Sequence, residues 1–296
     1  MPGLPLTWLD VFTGTPLTGN ALAVVHDADA LDDATMLGFA RETRLSETTF
    51  VQSASVDGAD YRNRIWMATG ELPFAGHPSL GTAVAVARAR EEDEACYVQQ
   101  TPAGLQPVDV RMDGDRISAS MLQEPVLMGP QVDAAQALAA VGLVVSDAAG
   151  VRLRPQVVST GVPQLIVAVQ RGALARARPD REALQALLAP LGAVCLYVVA
   201  WESGGQAWAR SFFVDIAGAT EDPATGSAAG PLLAYLHERT GLRTLDIHQG
   251  VEMGRRSLLR CRFDEETERL RVGGDVVILA QGTVSLPATG RMSSPR

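Results

Sequence analysis

The sequence predicts an α+β protein of two similar halves, each a β-barrel wrapped around a central helix. Three observations carry this. GHPSLGTAVAVA, from Gly76 to Ala87, has a cousin 145 positions later in EDPATGSAAGPLLAYL, from Glu221 to Leu236. At that offset His77 faces Asp222, Pro78 faces Pro223, Gly81 faces Gly226, Thr82 faces Ser227 and Ala83 faces Ala228. TGNALAVV at Thr18 and TGVPQLIV at Thr160, 142 apart, repeat Thr-Gly before an apolar strand, and such nearly equal offsets argue duplication. Finally, SLGTAVAVARA and GSAAGPLLAYL are small or apolar on nearly every face, the mark of a helix buried all round.

Each element follows from its local pattern. LTWLDVFTG and ALAVVHD alternate and are rich in β-formers, so both read as strands about a Gly/Thr/Pro turn. LDDATMLGFARET has Asp32 or Asp33 to cap it and reads as an amphipathic helix. SETTFVQ and YRNRIWMAT are strands, with Ser46 and Glu47 at the mouth of the first, and GELPFAG is a loop. ACYVQQTPAGLQPVDVRMDGDRISASML supplies three strands broken at Ala-Gly and Asp-Gly turns. Gln123 to Asp133 turns Pro- and Gly-rich, which sets the expected domains at 1–126 and 127–286, the last strand being free to return to the first domain. A disordered tail is expected over 287–296. The second half restarts with a helix in DAAQALAAVGL, two strands in GVRLRPQVVSTGVPQLIVAVQ and a helix in DREALQALLAPLG. A hairpin across GGQ follows, then the second apolar helix, then three strands.

Composition bounds the chemistry. At 296 residues, 47% hydrophobic and 20% charged, the chain reads as an ordinary soluble protein. No apolar run reaches the roughly 18 residues of a membrane span, and no signal peptide is legible, so a cytoplasmic protein is expected. A net charge of −9 with scattered arginines argues against a nucleic-acid partner. Cys96, Cys195 and Cys261 are too far apart for a metal knuckle and odd in number, so they are expected as buried small hydrophobes. All 25 basic residues are arginine. Without lysine there is no Schiff base with pyridoxal phosphate or a carbonyl substrate, and no P-loop.

The chemistry-bearing residues cluster at the two helix starts. Pro78 and Pro223 are expected at the first helical position, leaving His77 and Asp222 at or near the caps. Free backbone N–H groups and the positive end of the dipole suit a carboxylate there, and glycines 76, 81 and 226 let it approach. Taken singly, Asp222 is an ordinary cap, His77 a structural histidine and Glu47 a solvated charge. Together they are a candidate acid/base set.

The stretches DVFTGTPLTGNALAVV, ARETRLSETTFV, TGELPFAGHPSLGTA, EDPATGSAAGPLLAYL and QGVEMGRRS, from residue 10 to residue 257, resemble the PhzF family of isomerases related to phenazine biosynthesis. The resemblance implies a diaminopimelate-epimerase-like, pseudo-twofold fold with a site in the cleft between the halves. It puts the acid/base glutamate on Glu47, the assisting histidine on His77 and the aspartate on Asp222. Ser46, Gly76, Gly226, Ser227 and Asn20 fall where the family holds its substrate. The implied reaction moves a proton within a small carboxylate-bearing metabolite, as in trans-2,3-dihydro-3-hydroxyanthranilate isomerization, without cofactor or metal and in a homodimer. Such a base needs burial, which raises a glutamate's pKa, and a histidine at a helix N-terminus is biased towards the neutral ring. Asp222 is expected to orient it. Gln164, where many members have histidine, and Arg256, where proline is common, depart from the family pattern and bear on the substrate.

Four other readings compete. A Ser227–His77–Asp222 hydrolase lacks a nucleophile elbow. A metal site on Glu47, His77 and Asp222 would have one histidine only. A two-cysteine racemase of the same superfamily finds no cysteine in a matching loop. A binding protein on this scaffold would not need Glu47.

Overall fold

The computed structural model describes residues 3–215 and 218–287. In chain order its elements begin β1 (Leu4–Val11), β2 (Asn20–Val25), α1 (Asp33–Thr43), β3 (Thr48–Gln52), β4 (Tyr61–Met67), β5 (Gly70–Leu72), α2 (Gly76–Arg90), β6 (Glu94–Thr101), β7 (Gly104–Asp113) and β8 (Arg116–Leu122). There follow β9 (Leu127–Gln131), α3 (Ala134–Ala139), β10 (Gln156–Ser159), β11 (Pro163–Ala168), α4 (Arg171–Leu174), α5 (Arg181–Leu188), β12 (Cys195–Ala200) and β13 (Gln206–Val214). The last are β14 (Ala219–Asp222), α6 (Gly226–Thr240), β15 (Thr244–Gln249), β16 (Ser257–Phe263) and β17 (Leu270–Val284). They form two compact units: the described residues up to Met121 with those from Gly274 on, and Leu122–Gly273. The tail expected over 287–296 lies, Pro287 apart, outside the described residues. No helix among them is long and apolar enough to cross a membrane.

In the first unit the strands pair β1–β2 antiparallel, β2–β3 parallel, β3–β4 antiparallel, β4–β6 parallel, then β6–β7 and β7–β8 antiparallel. Pairing of β8 with β17, and of β17 with β1, closes eight strands into a barrel. Inside it, α2 is buried from His77 to Ala87 and packs on β1, β2, β3, β4, β6 and β7. Such closeness needs small residues. A Cβ on Gly81 would stand 2.6 Å from Leu22 Cδ2, 2.8 Å from Leu9 Cδ1 and 2.9 Å from Val11 Cγ2. The other face of the sheet is covered by α1, where Met36 and Ala40 pack with Val25, Phe50 and Trp66.

The second unit repeats the sequence of pairings. Its steps β10–β11, β11–β12, β12–β13, β13–β15, β15–β16 and β16–β17 are antiparallel, parallel, antiparallel, parallel, antiparallel and antiparallel. All of β12 is buried. Leu196, Val198 and Ala200 join Leu184, Leu187 and Leu188 of α5, while Cys195, Tyr197 and Val199 alternate onto the opposite face. Strands β10, β11, β15 and β16 pack on α6.

The duplication is therefore real, but the register expected for its helices is not. α2 starts at Gly76 and α6 at Gly226, 150 positions on rather than 145. ELPFAG and EDPATG each run strand, bend and helix start, so Glu71 matches Glu221, Leu72 matches Asp222 and His77 matches Ser227. Pro78 is the third residue of α2, whereas Pro223 precedes α6 by three. Proline is tolerated throughout a first turn, whose N–H groups have no intrahelical partner, so an X-Pro pair does not say which residue begins the helix. The true register is held by matched ion pairs. Arg64 donates to Glu71 through Nε at 2.5 Å and a terminal nitrogen at 2.7 Å, and Arg210 to Glu221 at 2.8 Å and 2.7 Å. Two smaller expectations also change: Cys96 is exposed, and the Pro/Gly-rich stretch at 123–133 contains strand β9.

Gly81→Ala should lower stability by about 1–3 kcal/mol, because the added methyl overpacks the barrel. Gly38→Ala, mid-helix in α1 with nothing within 4 Å of a new Cβ, should raise it by about 0.5–1 kcal/mol. Urea midpoints of the two variants check both signs.

Candidate active site

The first unit brings three of the expected residues together. Glu47 sits between Arg44, whose left-handed conformation (φ 55°) ends α1, and the first residue of β3. Two residues on, Thr49 hydrogen-bonds Thr82 of α2 at 2.8 Å, so that face of β3 looks onto the helix. Glu47 follows the same alternation and places Oε2 3.5 Å from Nε2 of His77, the second residue of α2. The carboxylate is 14% exposed and the ring 5%. On the ring's other side, Asn20 Nδ2, at the start of β2, lies 3.2 Å from Nδ1, and a backbone hydrogen bond links the ring to Ala21. His77 Nε2 is thus the nitrogen presented to Glu47, and it is buried without a hydrogen-bond partner among the described residues. Burial pushes the ring's pKa down to about 3, against the smaller pull of Ala21, so His77 is uncharged near neutrality. The Glu47–His77 approach is then a polar contact and not an ion pair. Gly76 opens α2 after Ala75, which has no side-chain cap to offer the first N–H groups, and Ser46 is exposed beside Glu47.

In the second unit Asp222 is not an N-cap; it ends β14, three residues before the cap, Thr225. Threonine normally caps with its own hydroxyl, but here that hydroxyl donates to Asp222 Oδ2 at 2.6 Å. The first N–H groups of α6, at Gly226 and Ser227, are therefore left uncapped by Thr225. The loop is pinned by Gln249, fully buried at the end of β15. Its Nε2 donates to the Asp222 carbonyl (2.8 Å) and to Thr225 Oγ1 (3.0 Å), while its Oε1 accepts from Tyr197 and the Thr225 N–H. Gly250 follows at φ 72°, where a Cβ would strike the carbonyls of Arg255 (2.3 Å) and Pro223 (2.7 Å). Ser227 Oγ accepts from Gln164 Nε2 at 3.2 Å, and Arg256 is exposed in the loop before β16. Sequence reasoning missed Thr225 and Gln249 as site-shaping residues. The signal available was the Gln-Gly pair ending a strand, which calls for backbone that only glycine adopts easily. Among the described residues no group of three or more His, Cys, Asp or Glu could hold a metal ion.

The family model for phenazine biosynthesis-like proteins, PhzC-PhzF, matches residues 9–282. A trans-2,3-dihydro-3-hydroxyanthranilate isomerase of Pseudomonas aeruginosa is 34% identical over 290 residues, covering 94% of this chain and 98% of its own. A solved structure of a predicted epimerase from Pseudomonas aeruginosa superimposes with a TM-score of 0.83 at 36% identity, over 95% of this chain and 99% of that one. A hydroxyproline epimerase from Agrobacterium vitis, 14% identical, shares the fold with a TM-score of 0.63 over 95% and 92%.

The neutral His77 has a pH signature. Its ordinary pKa of 6.5 in the unfolded chain falls to about 3 in the folded one, so between those values the unfolded state binds the extra proton. Stability is then full above the unfolded pKa and is lost as pH falls through that window, by about 2 kcal/mol at pH 5 from this group. His77→Gln should remove that part of the slope. Denaturant titrations of both proteins at pH 7.5 and pH 5 read it directly, and equal slopes would contradict the buried neutral ring.

Proposed function

The chain belongs to the PhzC-PhzF family of phenazine biosynthesis-like proteins and is an isomerase, and from that premise we propose that it moves a proton within a small carboxylate-bearing metabolite by acid/base catalysis at Glu47. The observation that carries the reading is the Glu47 carboxylate, largely buried, facing the uncharged Nε2 of His77 at 3.5 Å, with that nitrogen lacking a hydrogen-bond partner among the described residues. A buried polar nitrogen without a partner, facing a carboxylate beside a helix start, is a place that a ligand can complete.

In this mechanism Glu47 takes a proton from a carbon of the substrate and returns it to another, the two half-reactions sharing one group. Removal leaves electron density that spreads towards the substrate carboxylate. His77, neutral and held by Asn20, supplies a hydrogen bond to that charge, burial having kept the ring uncharged. In the first unit, backbone N–H groups at Gly76 with Ser46 and Asn20 are proposed to hold substrate; in the second, Gly226 and Ser227 are assigned the same role, with the Thr225-bound Asp222 beside them. No step requires a cofactor. The name of the Pseudomonas aeruginosa relative supports a cyclic, amino- and carboxylate-bearing substrate. A homodimer is the proposed assembly.

Glu47→Gln keeps the shape and hydrogen-bonding reach of the side chain but cannot accept the carbon-bound proton. Turnover and solvent-deuterium incorporation should fall about 10²–10⁴-fold, with substrate affinity changed only a few-fold. Proton NMR in heavy water scores the exchange; undiminished turnover in this variant would sink the assignment.

A further inference from the structure

The duplication identifies the counterpart of Glu47 in the second unit. Phe50 of β3 pairs with Arg64 of β4, and Val198 of β12 pairs with Arg210 of β13, the two arginines being those that hold Glu71 and Glu221. Counting back three residues from Phe50 reaches Glu47, and from Val198 reaches Cys195. His77 is matched by Ser227, the second residue of α6. Where the first unit sets a carboxylate against an imidazole, the second sets a thiol and a hydroxyl. Between these two stands Gln164 of β11, 1% exposed: Cys195 Sγ donates to its Oε1 at 2.8 Å, and its Nε2 donates to Ser227 Oγ at 3.2 Å.

This chain of hydrogen bonds has a direction. An amide presents one accepting end and one donating end, and whichever end faces the thiol decides what faces the serine. Burial pushes the Cys195 thiol pKa up to about 12, against a smaller opposing pull from Ser211, so the sulfur keeps its proton. A thiol that keeps its proton has an S–H to give and a sulfur that accepts only weakly, and the amide atom set against Sγ is Oε1. The amide oxygen therefore stays on the cysteine and its N–H on Ser227. With its oxygen already accepting, the serine has its own proton left to give.

We propose that Cys195 and Gln164 are positioning residues that hold the Ser227 hydroxyl as a hydrogen-bond donor, so that the start of α6 selects a carboxylate of the substrate over its neutral amide. This rests on the reading of Ser227 as a residue that holds the substrate. The donated hydroxyl proton joins the N–H groups left uncapped by Thr225, while the neighbouring Asp222 carboxylate is engaged through Oδ2 by the Thr225 hydroxyl. A carboxylate accepts from all of them; a carboxamide, whose NH₂ can only donate, meets a donor face to face. Gln164, uncharged at every pH, keeps this preference flat across the neutral range.

The test is binding, measured by calorimetry with anthranilate and anthranilamide as probes, and so independent of turnover. Wild type should prefer the carboxylate. Cys195→Ala frees the amide to turn and should erode the preference about tenfold, the worth of one hydrogen bond to a charged group. Cys195→Ser restores a donor at the same place and should recover it. A merely structural role would instead move thermal stability in both variants and leave the preference alone; an unchanged preference in a folded Cys195→Ala protein overturns the proposal. If that variant does not fold, the S–H stretching band of the wild type gives the answer. It should show a hydrogen-bonded thiol that shifts to higher frequency in Gln164→Met, and a band indifferent to that change refutes the relay. Should Glu47→Gln retain exchange while the carboxylate preference behaves as expected, the catalytic assignment falls and the relay stands.

Discussion

A helix without a polar face has to be enclosed, and in this protein everything else follows from that. From His77 to Ala87, α2 carries only small or apolar side chains besides His77, Ser79 and Thr82, and the two hydroxyls are satisfied within the barrel, so strands must surround it. Enclosure demands small side chains where strand and helix meet, as at Gly81 against Leu9, Val11 and Leu22. It also leaves the first turn of the helix as the one place where backbone donors still face outwards. His77 stands at that turn, with Glu47 and Asn20 set against its ring.

Duplication supplied this arrangement twice, and divergence made the two copies unequal. The scaffold features that agree are those that set geometry: the order of parallel and antiparallel pairings, and the bidentate arginine–glutamate pairs behind each helix start. The features that differ are side chains aimed at the helix start. Glu47, His77 and Asn20 stand in one unit; Cys195, Ser227 and Gln164 stand in the other. Burial leaves the imidazole uncharged in one copy and keeps the thiol protonated in the other. One copy sets a carboxylate against an imidazole, and the other sets a thiol and an amide against a hydroxyl.

Much of this was legible in the residues, and the failures share a cause. Strands β6, β7 and β8 were readable because Ala-Gly and Asp-Gly turns punctuate alternating runs. Helix α1 was readable because Asp32 caps it and Met36 and Ala40 share a face. The pairing of His77 with Asp222 failed because it matched letters, Pro78 with Pro223, where the backbone matches Glu71 with Glu221. The letters held that register too, since Glu71, Pro73 and Gly76 match Glu221, Pro223 and Gly226, but Arg64 and Arg210 on other strands are what single it out. Gln249 was equally silent, since one glutamine in a strand looks the same whether it faces water or pins a loop through three hydrogen bonds.

By itself the sequence determined the class of fold, the repeat, the buried helices, and the residue types GHP, SET and EDP that mark the family, because these depend on local pattern and composition. Tertiary structure chose between two registers of the repeat and alone decided the charge state of His77 and the hydrogen-bond partners of Asp222 and Ser227. The reason is physical. A local pattern states what a residue can do, but a pKa is set by how much water the fold removes, and a hydrogen bond by which distant strand arrives opposite. GHPSLGTAVAVA announced a buried helix from the outset; that His77 is uncharged and presents one nitrogen to Glu47 became visible only once the barrel had closed around it.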